Sequence, residues 1–394
     1  MNKQYKKVLL FGSLIWFVSN FHHPITPTLF TNLNMPSHTF GTSYAAMVFG
    51  MFLTSPIWGS LGDKYGRSKV MYISPILYGI GQIGLAFSTN LPSIILFRFI
   101  SGSSSGGFNV GLMSSIVDTS SLEDRGGAMA TYSAIMGISV SVGYLIGGAL
   151  GYFDPRIVLL IQAVLMISIG IGMKIILKET KTINKESKVT FVWDLIKNAK
   201  KSKEIFTTWV LIFLAITFFG SIGDNSNVNA TNYYMKAQLD LKPIINGLWK
   251  SITGVVGLIA NLTINVWILK KTNIKKSLVY ILFLSTIGGF IMFFNDSFYI
   301  FMILNLSLVT LYTMQIPILQ NFAVEGYSDH VGLMSGIYNA TKSLGAMFGS
   351  IITGLSYNYN SKYPFLIGGV ALGIASIFGM INLILDRRVR EGNN

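Results

Sequence analysis

The chain has no cysteine among its 394 residues. Disulfide bonds, thiol nucleophiles and thiolate metal sites are therefore excluded. Charged residues are scarce as well, at 12% of the sequence, whereas soluble domains carry about 25%. Hydrophobic residues make up 51%. Most of the surface is therefore expected to face lipid, and no separate soluble domain is predicted.

Several enzyme motifs are missing too. The sequence contains no G-x-x-x-x-G-K-[ST] phosphate loop and no H-E-x-x-H motif. The pattern G-x-S-x-G occurs at residues 102–106, but it lies inside the predicted fourth span and not at a strand-to-helix turn, so no nucleophile elbow is predicted. These absences argue against ATP hydrolysis and against the common hydrolytic enzymes. We predict that the protein is not an enzyme and that it holds no cofactor and no metal.

Apolar runs of about 20 residues, the length that crosses a bilayer, recur along the whole chain. We predict an all-α membrane protein with twelve transmembrane helices. The expected spans are residues 8–30, 42–61, 70–88, 93–117, 127–152, 156–177, 205–233, 245–269, 277–294, 298–323, 332–357 and 364–385. The N-terminus is basic and then apolar, but no small-residue cleavage site follows, so we expect a retained first helix.

The net charge of +14 is unevenly distributed. With the N-terminus placed inside, 22 of the 30 lysines and arginines fall in predicted cytoplasmic segments. Five fall in segments counted as external: Arg156, Lys236, Lys242, Lys250 and Lys362. The positive-inside rule then places both termini in the cytoplasm. The basic residues therefore orient a multi-pass protein in the plasma membrane and contact anionic lipid, and nucleic acid is not an expected partner.

Residues 178–203 separate two similar halves. This segment is rich in lysine, yet Val189, Val192, Leu195 and Ile196 recur at helical spacing, so we expect a basic linker with an amphipathic helix. The halves are two six-helix bundles, residues 1–177 and 204–394. A shift of 206 residues aligns the fifth and eleventh spans, including Gly143 with Gly349 and Gly148 with Gly354. Two parallel repeats around a central site are typical of one class of transporters.

A glycine-rich, charged loop lies between the second and third spans, at residues 59–69. It resembles the signature loop of the major facilitator superfamily, G-x-L-a-D-r-x-G-r-[RK]-[RK]. The matching residues are Gly59, Leu61, Asp63, Gly66, Arg67 and Lys69. The resemblance implies that Gly59, Asp63, Gly66 and Arg67 act in conformational gating. It also implies that Asp63 pairs near the cytoplasmic end of the eleventh span and locks the outward-open state.

The first span carries the polar cluster Asn20-Phe21-His22-His23, followed by Pro24 and Pro27. The prolines free backbone carbonyls, as in a broken helix that lines a cavity. Because histidine titrates near neutral pH, either histidine could carry a proton or bind substrate. We predict substrate binding by Asn20, His22 and His23; the alternative is a pair of histidines at the outer mouth.

The seventh span, the repeat counterpart of the first, carries the run 220–229. Asp224 is the only acid well inside a predicted span, which makes it our first choice for proton coupling. Asn225 and Asn227 are predicted to bind substrate. The alternative is that this span ends early and leaves Asp224 in an external loop.

Two further spans resemble family motifs. In the fourth span, Arg98 and Gly102 resemble R-x-x-x-G, whose arginine is linked to proton transfer in proton-coupled relatives. We predict that Arg98 takes part in proton coupling and substrate binding. The alternative is that it only ties neighbouring helices together.

In the fifth span, three glycines resemble the antiporter motif G-x-x-x-G-P-x-x-G-G and are assigned to gating. They are Gly143, Gly147 and Gly148, whereas Ser139 and Tyr144 replace the first glycine and the proline.

The last candidates lie in the second half. Lys342 is near the middle of the eleventh span and needs a partner: Asp224, Glu325 or a substrate carboxylate. Gln315 and Asn339 add neutral hydrogen-bonding groups, and all three are predicted to bind substrate. A lysine that snorkels to water is the alternative for Lys342.

Together these features predict a proton-coupled secondary transporter that exports a small organic solute by alternating access. The resemblance is to the twelve-span drug:proton antiporter branch. The positive candidate site favours a polar anionic or zwitterionic metabolite, such as a metallophore. A multidrug efflux pump and a proton-coupled importer remain alternatives, and a membrane sensor is disfavoured by the repeated glycines. The expected partners are the solute, protons and lipid, and we expect a monomer.

Overall fold

A computed structural model describes residues 3–121, 124–180, 189–191, 194, 207–324 and 331–391 of the chain. Within these ranges the regular structure is helical, without a β-strand. The helices are α1 Lys3–Ser19, α2 His22–Asn32, α3 His38–Tyr65, α4 Arg67–Phe87, α5 Leu91–Asp118, α6 Arg125–Leu150, α7 Pro155–Ile176, α8 Thr208–Ala237, α9 Pro243–Ala260, α10 Val266–Lys271, α11 Ile274–Phe294, α12 Phe298–Val324, α13 Val331–Tyr357 and α14 Tyr363–Glu391. A π-helical turn, Asn261–Asn265, joins α9 to α10.

Ten membrane spans in the described part of the chain are long and apolar enough to cross a bilayer, counting α1 with α2 and α9 with α10 as single spans. The helices α5 and α13 have the necessary length but are not among the ten. Serines and glycines make up much of both sequences, which lowers their hydropathy. The all-α prediction is confirmed, while the count of twelve spans stays a prediction.

The first span, predicted over residues 8–30 with a break at its prolines, consists of two helices. It is divided into α1 and α2 by a turn at Asn20 and Phe21. Pro24 and Pro27 lie just beyond this turn and cannot donate backbone hydrogen bonds to the preceding carbonyls. The break therefore follows from the sequence and confirms the broken first helix.

Two helix starts in the first half of the chain use short polar side chains. The Asn90 side chain accepts a hydrogen bond from Ser93 N at 3.0 Å at the start of α5. Asp154 accepts from Arg156 N at 2.7 Å before α7, and a proline follows each of these two caps. Such caps satisfy N–H groups that a helix leaves unpaired at its N-terminus.

Contacts divide the chain into two units. Unit 1 comprises Met1–Met35, Ala46–Lys197 and Met235–Val255, and unit 2 comprises Pro36–Ala45, Asn198–Tyr234 and Val256–Asn394. In unit 1, α4 packs against α5 and α7, and α1 packs against α6 and α7. In unit 2, α11 packs against α12 and α14 around fully buried side chains such as Leu282, Ile318, Leu372 and Ala375.

Most of the linker predicted at 178–203, including its amphipathic helix, lies outside the described residues. So does Glu325, one of the partners predicted for Lys342.

Candidate functional site

The signature loop between α3 and α4 is held by ion pairs inside unit 1. Arg67 Nη2 lies 2.8 Å from Asp63 Oδ1, and Arg67 Nε lies 3.3 Å from Asp118 Oδ2. Gly66 has φ of 110°, a left-handed conformation that glycine adopts without strain. Gly59 has no comparable need, since a Cβ there would meet only Val110, at 3.7 Å. The pairing of Asp63 with the eleventh span stays a prediction.

A carboxylate that the sequence did not single out caps the start of α4. Glu179 accepts hydrogen bonds from Arg67 N at 2.8 Å, from Ser68 N at 3.1 Å and from Ser68 Oγ at 2.6 Å. Gly66, at the cap position, has no side chain to offer. Partial burial alone would raise the pKa of Glu179, but the hydrogen bonds from Ser68 and from backbone N–H groups hold that pKa below its usual value of 4.5.

The break in the first span binds side chains from two other helices. Tyr78 on α4 donates its hydroxyl proton to Ser19 O at 3.0 Å, and Gln162 Nε2 on α7 donates to Val18 O at 2.7 Å. His22 Nδ1 lies 2.9 Å from Ser19 O and 3.1 Å from Tyr78 Oη. These side chains bind carbonyls at the end of α1, where Val18 O also accepts from Phe21 N at 3.1 Å. Asn20 lies in the turn itself and donates to Trp16 O at 2.6 Å.

Arg98 on α5 is bound to the same region. The residue is only 3% exposed, and its Nη2 donates to Thr26 Oγ1 at 2.8 Å. Thr26 in turn donates to His22 O at 2.6 Å. Arg98 thus ties α5 to α2 and brings a permanent positive charge next to the histidine pair.

His22 and His23 do not point apart as completely as their sequence positions suggest. Their ring centroids lie 4.1 Å apart with an interplanar angle of 31°. His22 is buried, whereas His23 is half-buried and packs edge-to-face on the ring of Tyr144, 5.5 Å away. Both histidines therefore take part in one cluster within unit 1.

Lys250 corrects one sequence assignment. It was counted with external segments, but it lies within α9, where its Nζ stands 5.4 Å from the centroid of the Tyr144 ring. Its charge also acts on His23. Neither Lys250 nor Tyr144 was among the predicted substrate-binding residues. Two sequence signals could have indicated them: the departure of Tyr144 from the antiporter motif, and the position of Lys250 inside the predicted span 245–269.

Asp224 lies well inside α8, which continues without interruption from Thr208 to Ala237. The carboxylate is buried, at 7% exposure, so the alternative of an external loop is not what the structure has. Lys342 on α13 interacts with it electrostatically. Gln315 on α12 also faces Asp224, and both polar atoms of this fully buried amide lack a hydrogen-bond partner within 3.5 Å.

The other polar residues predicted in unit 2 have different environments. Asn225 donates to Ser221 O at 2.9 Å and Asn227 donates to Gly223 O at 3.0 Å, so both amides are used within α8. The Oδ1 atom of Asn227 is buried without a partner. Asn339 is exposed on α13. The structure therefore brings Asp224, Gln315 and Lys342 together and leaves Asn339 outside that group.

The glycines of the fifth-span motif stand at close helix contacts. A Cβ on Gly143 would lie 2.3 Å from Phe17 O, and one on Gly147 would lie 2.4 Å from Phe21 O. A Cβ on Gly148 would lie 2.9 Å from Gly247 Cα on α9. Only glycine permits backbones to approach so closely, so these residues fix how α6 lies against the broken first span and α9.

No group of three His, Asp or Glu side chains within the described ranges could hold a metal ion. The candidate site therefore consists of two clusters, each inside one unit. Unit 1 has Arg98, His22, His23 and Lys250, and unit 2 has Asp224, Gln315 and Lys342.

A family model described as Major Facilitator Superfamily matches residues 8–325 and 214–394. The chain belongs to the Major Facilitator Superfamily; it is a multi-pass membrane transporter of small molecules and not an enzyme.

Similar proteins agree with the branch that the motifs suggested. The chain is 20% identical to Multidrug resistance protein 2 of Bacillus subtilis (strain 168) over 90% of both chains. It is 22% identical to Quinolone resistance protein NorA of Staphylococcus aureus (strain MRSA252) over 99% of this chain and 98% of that protein. These relatives confirm the resemblance to the drug:proton antiporter branch.

Solved structures share the fold at low identity. A bacterial homolog to the human lysosomal transporter Spinster aligns with a TM-score of 0.77 over 97% of both chains, at 12% identity. The xylose transporter XylE from E. coli aligns with a TM-score of 0.68 over 94% of this chain and 92% of that chain, at 16% identity. Both likenesses show the fold alone.

Proposed function

We propose that the protein is a proton-coupled exporter of a small polar organic solute, anionic or zwitterionic, in the plasma membrane. It has twelve spans, with six-helix bundles at residues 1–177 and 204–394 joined by the basic linker 178–203. Both termini are cytoplasmic, and the protein works as a monomer. It opens to the two sides of the membrane in turn.

The buried carboxylate of Asp224 is the observation that carries this proposal. A charged group inside a membrane helix is costly unless it is paired or functional. Lys342 balances the ionised carboxylate, and protonation removes that balance. A proton and a cationic group of a zwitterionic solute compete for the one carboxylate. Competition of this kind couples inward proton movement to outward movement of the solute.

A comparison of small molecules in cells and medium tests the proposal. The strains carry a deletion, the wild-type gene, Asp224→Asn, or Asp240→Asn as a matched control. Asp240 is an exposed acid paired with Lys236. We expect a solute that leaves wild-type and Asp240→Asn cells and stays inside deletion and Asp224→Asn cells.

Two other results would refute export of a metabolite. A solute that stays in the medium only when the gene is deleted would mean import. An unchanged metabolite profile, together with drug sensitivity of the deletion strain, would favour the second candidate, a multidrug efflux pump. The names of the Bacillus subtilis and Staphylococcus aureus relatives support that candidate.

A further inference from the structure

The residue that breaks the antiporter motif stands at the centre of a cluster in unit 1. Tyr144 occupies the motif's proline position on α6. Its ring contacts His23 of α2 edge-to-face at 5.5 Å, and Lys250 of α9 lies over the same ring at 5.4 Å. We call His23, Tyr144 and Lys250 the Tyr144 cluster. Three helices therefore meet at a side chain that the motif does not specify.

Glycines fix the helices that bring this cluster together. Gly147 on α6 packs against Phe21, two residues before His23. On the other side, a Cβ on Gly247 of α9 would lie 2.4 Å from the carbonyl oxygen of Tyr144 itself. The backbone on both sides of Tyr144 is thus held close, so the helices that carry His23, Tyr144 and Lys250 have little freedom to separate. A fixed arrangement of this kind lowers the entropy cost of binding a ligand.

Positive charge dominates the surroundings of the cluster. The charged groups that act on His23 are Lys250 and Arg98, and the same two cations act on His22. Among the described residues no carboxylate lies within 4 Å of the Lys250 ammonium, which is half-buried. An ammonium over an aromatic face keeps its charge available, because the ring contributes no formal negative charge. An ammonium within a membrane helix is costly unless an anion joins it.

We propose that the Tyr144 cluster binds the carboxylate of an organic anion, with Lys250 as the direct ligand and Tyr144 as the residue that positions its ammonium. The assignment rests on the proposed function in one respect: the solute must carry a carboxylate. Unit 2 differs, because there a carboxylate, Asp224, already interacts electrostatically with Lys342. Tyr144 and Lys250 thereby become determinants of specificity.

Binding of two matched fluorescent probes tests this assignment. Dansylglycine carries a carboxylate, and dansylglycinamide has the same body without the charge. Full-length protein in lipid nanodiscs should bind dansylglycine at least about tenfold more tightly, because one buried ion pair is lost with the amide. Lys250→Gln should abolish the difference, and Lys250→Arg should retain it. Lys236→Gln, which removes a lysine paired with Asp240, should leave it unchanged.

Variants at position 144 separate positioning from folding. Tyr144→Phe keeps the ring and should preserve the preference for dansylglycine, whereas Tyr144→Leu removes the ring and should reduce it severalfold with unchanged affinity for the amide. Equal affinity for the two probes, no binding of either, or a preference that survives Lys250→Gln would overturn the assignment. Binding is measured without a gradient, so a preference found in a protein that exports nothing would refute the proposed function and leave the cluster's role intact.

Discussion

The crossing of α6 with the first span in unit 1 has a counterpart in unit 2, where α13 crosses α8. A Cβ on Gly143 would meet Phe17 O at 2.3 Å, and one on Gly345 would meet Phe218 O at 2.5 Å. In both units the added Cβ would also approach the Cβ of the residue three positions later in the partner helix. The two units therefore repeat one backbone contact with different side chains around it.

One turn further on, the correspondence continues. Gly147 stands against Phe21 O at 2.4 Å, and Gly349 stands against Ile222 O at 2.6 Å. Two residues beyond these contacts, His23 follows in unit 1 and Asp224 follows in unit 2. A basic cluster around a broken helix thus corresponds to an acid in a continuous helix. Glycines set the distance between helices, and the side chains next to them differ between the two units.

Asp224→Asn should have the largest effect and tests the difference between the basic cluster of unit 1 and the acid of unit 2. We expect proton-driven transport of the exported solute to fall on the order of 10²-fold, because the amide cannot take up a proton. His23→Asn, at the corresponding place in unit 1, should weaken solute binding but preserve the response to a proton gradient. Transport into inverted vesicles with and without a pH gradient measures both, with Asp240→Asn as the control. If His23→Asn alone abolished the gradient response, the assignment of proton coupling to unit 2 would be wrong.

Gly147→Ala and Gly349→Ala test whether the shared packing matters equally. Each added methyl would press on a backbone carbonyl, so each should destabilise the protein by about 1–3 kcal/mol. Gly137 and Gly336 lie on the same two helices with nothing within 4 Å of an added Cβ. Gly137→Ala and Gly336→Ala should therefore be neutral or stabilising by up to about 1 kcal/mol. Thermal unfolding of the purified protein measures these changes in stability. If only one of Gly147→Ala and Gly349→Ala destabilised the protein, the shared packing would not matter equally in the two units.

Thr26→Val should destabilise unit 1 by about 1–2 kcal/mol, since it removes an acceptor from the buried Arg98 guanidinium. Thr231→Val is its match in unit 2, where a neutral Asn305 amide donates to the hydroxyl at 2.9 Å. A neutral donor loses less free energy than a charged one when its acceptor is removed, so Thr231→Val should destabilise the protein less than Thr26→Val does. The same unfolding measurement compares them, and equal losses would contradict a special role for the charged donor.

Glu179→Gln should give the smallest effect, confined to the signature loop. The folded pKa of Glu179 lies below its unfolded value, so its contribution to stability is complete above about pH 4.5 and is lost as the pH falls through the folded value. The wild type should unfold at a slightly higher temperature than the variant at pH 7. That difference should shrink in acid, and a constant difference from pH 7 to pH 3 would contradict the carboxylate's role.

The sequence predicted the break in the first span but not its partners. Pro24 and Pro27 reveal a helix that cannot keep its hydrogen bonds. Which side chains bind the carbonyls beside the break depends on how other helices pack, and Tyr78 and Gln162 lie far away along the chain. Local signals therefore locate a break, whereas tertiary contacts determine its surroundings.

Polarity left one alternative open and misplaced one lysine. The polar run around Asp224 also allowed an external loop, but the side-chain N–H groups of Asn225 and Asn227 donate to carbonyls of their own helix, which is continuous as predicted. Lys250 was counted outside because its charge lies near a predicted span edge, and an aromatic ring from another helix gives it a place within α9. The sequence alone does not show that a polar or charged side chain will find a partner inside the protein.

On one helix face, the sequence alignment of the two halves and their equivalent packing contacts pair different glycines. A shift of 206 residues pairs Gly143 with Gly349, whereas equivalent contacts pair Gly143 with Gly345, one helical turn away. On another face the shift of 206 holds, since Gly148 meets Gly247 and Gly354 meets Gly41. Small residues four positions apart look alike after one turn of 3.6 residues, so sequence identity alone cannot choose between the registers.

The open surroundings of Gly137 and Gly336 offer a way to watch the transporter move. Because the native chain has no cysteine, Gly137→Cys together with Gly336→Cys would create the only two thiols in the molecule, one in each unit. Spin labels attached there would meet no neighbouring atoms within 4 Å of the new Cβ positions. The distribution of distances between the two labels, recorded at several pH values, would then report the populations of transport states directly.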